Sequence, residues 1–176
     1  YGYRRADIII VTKCPADMTA RQRRDMLVEI DPYHHQQVFF SRYEYGQAYH
    51  LLNPEIVKPF DLQTDMLLLS AIANTDYLLA YLAEQAKSVQ TLEFTDHHYF
   101  KEEDLLEMKR RFDRMDSKDK IIVTTEKDAT RLELHRDFFI RHNLPVYVLP
   151  VEVVFCDEDE PGFQAAVKDF LSNFKV

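Results

Sequence analysis

The sequence predicts an α/β fold in which a mostly parallel sheet carries helices on both faces. Short apolar runs such as Ile8-Ile9-Ile10-Val11 and Ile121-Ile122-Val123 have the length and composition of strands buried on both sides. They alternate with segments whose apolar residues recur every three or four positions, which is how helices packed on a parallel sheet read. Two polar clusters, Asp96-His97-His98 and Thr124-Thr125-Glu126-Lys127-Asp128, each follow directly on a predicted strand. Ligands of open α/β sheets bind outside the carboxyl ends of the strands, so this placement points to a site.

Each element has its own signal. The strand Ile8 to Val11 enters a loop at Thr12-Lys13-Cys14-Pro15. Thr19 with Gln22 makes a capping box for a helix that presents Met26, Leu27 and Ile30, and Asp31-Pro32 ends it. Gln37 to Ser41 reads as a second strand. Arg42 to Pro59 shows no sustained period and reads as a linking segment with short strand pieces, the hinge of the chain. Beyond it Met66 to Leu69 is a strand, and Asn74 caps a helix carrying Leu78, Leu82 and Ala86. Val89 to Phe94 is the next strand, followed by a helix over about 102–115 with Leu105, Met108, Phe112 and Met115 on one stripe. The strand Lys120 to Val123 leads to a short helical piece capped by Thr125 and Asp128. Val146 to Leu149 is a strand, and Pro161 opens a last helix with Phe163, Val167, Phe170 and Phe174 turned inward. These elements predict one domain over 1–176, with a first strand, helix and hinge in 1–59 and a regular α/β core in 60–176.

Composition excludes several classes. With 22 basic against 30 acidic residues and a net charge of −8, the chain lacks the electrostatic footing for nucleic acid. An acidic surface argues for a soluble protein. No apolar run reaches the roughly 18 residues a membrane span needs, and no signal peptide is visible. Cys14 and Cys156 lie far apart in sequence and fit no metal spacing, which gives a disulfide framework no support and suits a reducing compartment. The opening Tyr-Gly-Tyr-Arg-Arg without a Met suggests a fragment of something longer.

Both polar clusters admit more than one chemistry. In Asp96-His97-His98, a carboxylate beside an imidazole can fix its tautomer and strengthen it as a base. The same three side chains are ordinary ligands for a divalent metal. In the third reading Asp96 caps the following helix while the histidines fill a polar loop. For the second cluster, backbone N–H groups at a helix start together with Lys127 and Arg131 suit a phosphate or nucleotide. Against that, Thr125 to Asp128 is also a plain capping box with both cations solvated. His34-His35 reads as surface.

Taken in order, the motifs resemble those of the tetraacyldisaccharide 4'-kinases. The resemblance runs through Thr12-Lys13-Cys14-Pro15, Val38-Phe39-Phe40-Ser41 with Tyr43, Ser70-Ala71-Ile72-Ala73-Asn74, and Phe94-Thr95-Asp96-His97-His98-Tyr99-Phe100 with Asp104-Leu105. It continues in Val123 to Ala129 with Arg131 and in Leu149-Pro150-Val151. The family implies a Rossmann-like fold of the P-loop-NTPase type and transfer of the ATP γ-phosphate to the 4'-hydroxyl of the lipid A disaccharide precursor. It implies Mg²⁺, and a location on the cytoplasmic face of the bacterial inner membrane, with the full-length enzyme meeting the membrane surface. By the same resemblance His97 assists an upstream Asp that activates the sugar hydroxyl, and Asp96 orients His97. Thr125, Glu126, Lys127 and Asp128 become nucleotide-binding positions, and no metal ligand is assigned within this chain.

The departures are informative. Ala71 stands where the family usually has Gly, Thr75 where Pro is common, and Lys101 where a small hydroxyl residue caps the helix. No Gly-x-x-x-x-Gly-Lys-Ser/Thr occurs, since Gly2, Gly46 and Gly162 are the only glycines. The family's upstream acidic pair for Mg²⁺ is missing as well. The chain therefore resembles the C-terminal half of such a kinase, expected to be inactive alone. Two other classes stay open: a metal-dependent phosphoesterase of the Asp-His-His type, and a non-catalytic α/β binding module.

Overall fold

The structure, a computed structural model, describes residues 2–157 and 159–173. After a 3-10 turn at Gly2–Arg5 come β1 (Ile8–Val11), α1 (Ala20–Ile30), β2 (Gln37–Tyr45), β3 (Ala48–His50), β4 (Asn53–Lys58) and β5 (Asp65–Ser70). Next are α2 (Asp76–Gln85), β6 (Ser88–Glu93), α3 (Glu102–Arg114), β7 (Lys120–Thr125), α4 (Glu126–Leu132) and α5 (Arg136–His142). β8 (Val146–Leu149), β9 (Val151–Phe155) and α6 (Asp159–Asn173) complete the chain.

These elements form two compact units, one made of the chain up to Glu44 and from Glu152 onward, the other of Tyr45–Val151. The expected single domain with its internal boundary at 59/60 gives way here. Part of the supposed linker belongs to the second unit: β3 pairs antiparallel with both β4 and β8, and Ala48 and Leu51 are buried. Their burial was hidden in the sequence because β3 is too short to show a period.

In the first unit a three-stranded sheet has the order β1-β2-β9, with β1 parallel to β2 from Ile8↔Gln37 to Val11↔Phe40. The capping box of α1 forms as read, Thr19 Oγ1 accepting the Gln22 N–H and Gln22 Oε1 accepting the Thr19 N–H. Cys14 and Cys156 pack together with Phe40 and remain free thiols. The Cys14 N–H donates to Ser41 and the Cys156 N–H to Phe40, consecutive positions of β2, so residues remote in sequence become neighbours. Burial and then the nearby Cys156 push the Cys14 thiol up. Phe163 of α6 meets Phe39 and Phe155 at ring distances of 5.7 and 4.8 Å, but Phe170, read as inward, is 51% exposed. Phe174 lies outside the described residues.

The second unit carries a six-stranded sheet of order β4-β3-β8-β7-β5-β6. Its four-strand run β8-β7-β5-β6 is parallel throughout, and every residue of central β5 is buried. Leu67 and Leu69 belong to the core cluster shared with α3, α4 and α5, whereas Met66 and Leu68 belong to the cluster shared with α2. Helices therefore cover both faces, as the alternation predicted. The α3 stripe of Leu105, Met108 and Phe112, with Met115 just beyond, is buried as read. Asn74 is displaced by one from the α2 cap position, yet its Oδ1 accepts the Asp76 N–H. The two ends of this unit meet where the Gly46 N–H donates to the Pro150 carbonyl at 3.1 Å. A Cβ on Gly46 would stand 3.0 Å from Pro150 Cγ, so any larger residue would press on the proline ring at this close approach.

Candidate functional site

Because β7, β5 and β6 lie side by side and parallel, the loops leaving them gather at one end of the sheet. Those loops are Ala71 to Thr75 after β5, Phe94 to Lys101 after β6, and the junction of β7 with α4. The two polar clusters of the sequence meet here.

Asp96 is the hinge of the meeting. Its Oδ1 accepts the His97 N–H at 3.0 Å and Lys127 Nζ at 3.1 Å, and its Oδ2 lies 3.5 Å from His97 Nε2. Lys127 foremost, helped by His97, holds the Asp96 carboxyl below its usual range against some desolvation. His97 sits in the left-handed region at φ 62, an uncommon conformation for a residue with a Cβ. Its side chain is 73% exposed. The loop thus keeps the imidazole open to solvent with a carboxylate at its back.

His98 turns the other way. Its ring stacks on Phe94 at 4.6 Å, meets Phe100 edge-on, and brings Nε2 to 2.8 Å from Asp104 Oδ2. The same Asp104 oxygen accepts the Lys101 N–H at 2.8 Å, doing for α3 the work that neither Asp96 nor a hydroxyl at 101 supplies. His98 and Asp96 do not converge, and among the described residues no group of three or more His, Cys, Asp or Glu side chains is placed to hold a metal ion. The two histidines are a split pair, one exposed beside Asp96 and one packed among aromatic rings on Asp104.

Asp104 gives the site an acid-sensitive support. Burial raises its pKa, but the Lys101 N–H and His98 outweigh burial and leave the carboxyl lowered. A carboxylate lowered on folding stabilises the native state above its unfolded pKa, about 4, and that contribution disappears as pH falls through the folded value. Asp104→Asn should therefore flatten the acid limb of a stability-against-pH curve. An unchanged limb in urea melts between neutral pH and pH ~3 would remove Asp104 from the acid response.

The second cluster is largely turned inward. Thr125 Oγ1 accepts the Asp128 N–H at 3.2 Å and donates to Asp128 Oδ2 at 2.8 Å. Asp128 is fully buried. Its Oδ2 also accepts the Ala71 N–H at 3.1 Å, and its Oδ1 pairs with Arg131 Nη2. That Arg131 nitrogen donates in turn to the Ala71 carbonyl at 3.3 Å. Glu126 Oε2 accepts the Val151 N–H at 3.4 Å, and after burial itself this carboxylate is the next cause pushing the Tyr49 phenol up. Lys127 and Glu126 are the exposed members of the four predicted nucleotide contacts, and the half-exposed Lys127 head rests on Asp96.

Thr125 and Asp128, expected as nucleotide-binding positions, thus bond to one another, and Asp128 also to Ala71 and Arg131. A buried carboxylate whose oxygens are taken neither reaches a phosphate nor attracts one. Arg131, read as solvated or phosphate-facing, has a side chain only 13% exposed. What the sequence did not disclose is the role of Ala71, buried just beyond β5, whose N–H and C=O both serve the site. Its only signal was that the family usually has Gly at that point.

The described residues assemble no carboxylate cluster for Mg²⁺, and their cations at this end of the sheet already face carboxylates. Asp96 and Asp128 face cations already, Lys127 and Arg131 are each paired with a carboxylate, and no acidic cluster suits a hard divalent ion.

A sequence model of the family described as Tetraacyldisaccharide-1-P 4'-kinase (LpxK) matches residues 2–172. The chain belongs to this kinase family. Among curated relatives, the Tetraacyldisaccharide 4'-kinase of Bacteroides thetaiotaomicron is 35% identical over 182 residues, covering 97% of this chain and 47% of that protein. Those of Phocaeicola vulgatus and Bacteroides fragilis are 32% and 34% identical with the same coverage. The chain spans about half the length of the curated relatives it matches. A crystal structure described as "apo" LpxK from Aquifex aeolicus in complex with ATP is similar at a TM-score of 0.41 and 15% identity, over 90% of this chain and 51% of that one. Within the LpxK family, then, this chain brings Asp96, His97 and Lys127 to one sheet end.

Proposed function

We propose that this chain is the C-terminal part of a kinase of lipid A biosynthesis, which moves the γ-phosphate of ATP to the 4'-hydroxyl of tetraacyldisaccharide 1-phosphate. The observation that supports it best is the family match over 2–172, joined to an exposed His97 backed by Asp96. The protein's phosphate cradle and Mg²⁺ ligands would be contributed by residues outside this chain, and its lipid substrate implies work at the cytoplasmic face of the inner membrane. Among the described residues no helix is long and apolar enough to cross a membrane.

In phosphoryl transfer most of the acceleration comes from positioning and charge, with one group orienting the attacking hydroxyl. Asp96 against Nε2 favours the tautomer with its proton there, which leaves Nδ1 as the lone-pair nitrogen. His97 would take the sugar proton, directly or through an acidic partner across the cleft, and the Asp96 carboxylate would stabilise the imidazolium that forms. Lys127 keeps Asp96 ionised and oriented for this task, and offers a cation to a passing phosphate.

The test is phosphate transfer from ATP to tetraacyldisaccharide 1-phosphate by the full-length protein, with residues 1–176 assayed alongside. The full-length protein should turn over and the chain alone should not. Transfer by the chain alone would contradict the assignment of the cradle to another part of the protein. No transfer by the full-length protein would favour a non-catalytic binding module. Lys127→Ala should raise the KM for ATP and let the Asp96 carboxyl titrate closer to its ordinary range by NMR. Exposed ion pairs contribute only about 0–1 kcal/mol, so the melting temperature should barely move. An unchanged KM would confine Lys127 to its pairing with Asp96.

A further inference from the structure

The Asp128–Arg131 pair takes up buried space without touching the exposed face of the site. Arg131 Nε is buried with no partner among the described residues, a cost that native interiors seldom carry without reason. Buried ion pairs are weak stabilisers compared with apolar residues of similar volume. Stability alone is therefore a poor account of this one.

Its connections supply a better account. The Ala71 N–H donates to Asp128 and the Ala71 carbonyl accepts from Arg131. That carbonyl also accepts the His97 N–H at 3.3 Å. One peptide segment thus bridges the buried pair to the backbone of the exposed histidine. His97 itself holds a left-handed conformation, of the kind that persists when the surroundings over-determine it. Thr125 completes the support by holding Asp128 Oδ2, and Lys127, from the same short helix, holds the Asp96 side chain.

We infer that Asp128 and Arg131 are positioning residues: through Ala71 they clamp the Asp96-His97 turn in its left-handed form, so that the buried side of α4 serves the base. The inference rests on the proposed role of His97 for its catalytic meaning, while the clamp itself is a statement about the turn.

The experiment compares full-length wild-type protein with Arg131→Met and Arg131→Lys, reading amide hydrogen exchange in peptides covering 95–98 together with kcat and KM. In Arg131→Met, exchange at the turn should accelerate by roughly tenfold or more, and kcat should fall with the KM for ATP nearly unchanged. Arg131→Lys, which keeps the charge and a donor, should restore part of both. If Arg131→Met does not fold, Asp128→Asn with Arg131→Met removes the pair without stranding a charge and gives the same readings. Wild-type exchange at 95–98 in a folded variant would overturn the clamp. Faster exchange with turnover intact would uphold the clamp and defeat instead the catalytic role of His97.

Discussion

On the proposed kinase role, His97→Ala in the full-length protein should lower kcat by about 10²–10⁴-fold, the range a positioned general base contributes, while the affinities for ATP and the disaccharide should stay close to wild type. Two features of the structure set this expectation. The imidazole is 73% exposed, so the fold has little to lose with it. Its partner Asp96 stays anchored on Lys127 whether or not the ring is present. An interaction made chiefly in the transition state depresses kcat and kcat/KM together, and steady-state kinetics with either substrate varied reads that pattern. Near-normal turnover with a lowered melting temperature would make His97 a structural loop residue. His98→Ala should show the opposite profile, a stability loss with turnover largely kept, because its ring is stacked between Phe94 and Phe100 and held by Asp104.

Asp128→Ala should be the most destabilising change at the site. It strands the Arg131 guanidinium inside the protein and orphans the Ala71 N–H in one step. Breaking a buried pair by removing one partner costs about 3–5 kcal/mol, which lowers the melting temperature of a protein this size by roughly 6–20 °C. Asp128→Ala combined with Arg131→Met should recover a large part of that loss, since no unpaired charge then remains. A double variant no more stable than Asp128→Ala would place the cost in Asp128's bonds to Thr125 and Ala71 rather than in the stranded arginine. Calorimetry of the two variants beside wild type decides between them.

The regular half of the fold was legible because its strands are buried on both faces and its helices are amphipathic. Ile8 to Val11 and Val146 to Leu149 coincide with β1 and β8, and the α3 stripe is buried residue for residue. What escaped did so for local reasons. Arg136-Asp137-Phe138-Phe139-Ile140 offers two apolar positions to the core over barely two turns, too little for a period, so α5 was passed over. β9 alternates Val, Glu, Val, Val, Phe next to an acidic run and gives no clear register. Of the candidate site, the sequence disclosed which residues matter but not which way they face. Thr125 to Asp128 reads the same whether its carboxylate points at solvent or at Ala71. That choice depends on a loop more than fifty positions earlier, and on the pairing of β5 with β7. The fate of His98 was likewise decided by aromatic neighbours at 94 and 100 that a motif reading treats as spacing.

The contact between Gly46 and Pro150 bears on how the polypeptide matures. During vectorial synthesis β1 and β2 emerge before this segment, and their sheet waits for β9 until the whole of Tyr45–Val151 has been made. For an unstructured segment of that size, recruiting β9 beside β2 would be a long-range closure, slow by topology. Once the segment has folded, its entry and exit stand one hydrogen bond apart, and the closure left for the late strand becomes a short one. The nested segment thus acts as a folding tether for the strands that enclose it in sequence, and damage at Gly46 would surface first as slow or misassembled β9, in a region where no residue had been changed.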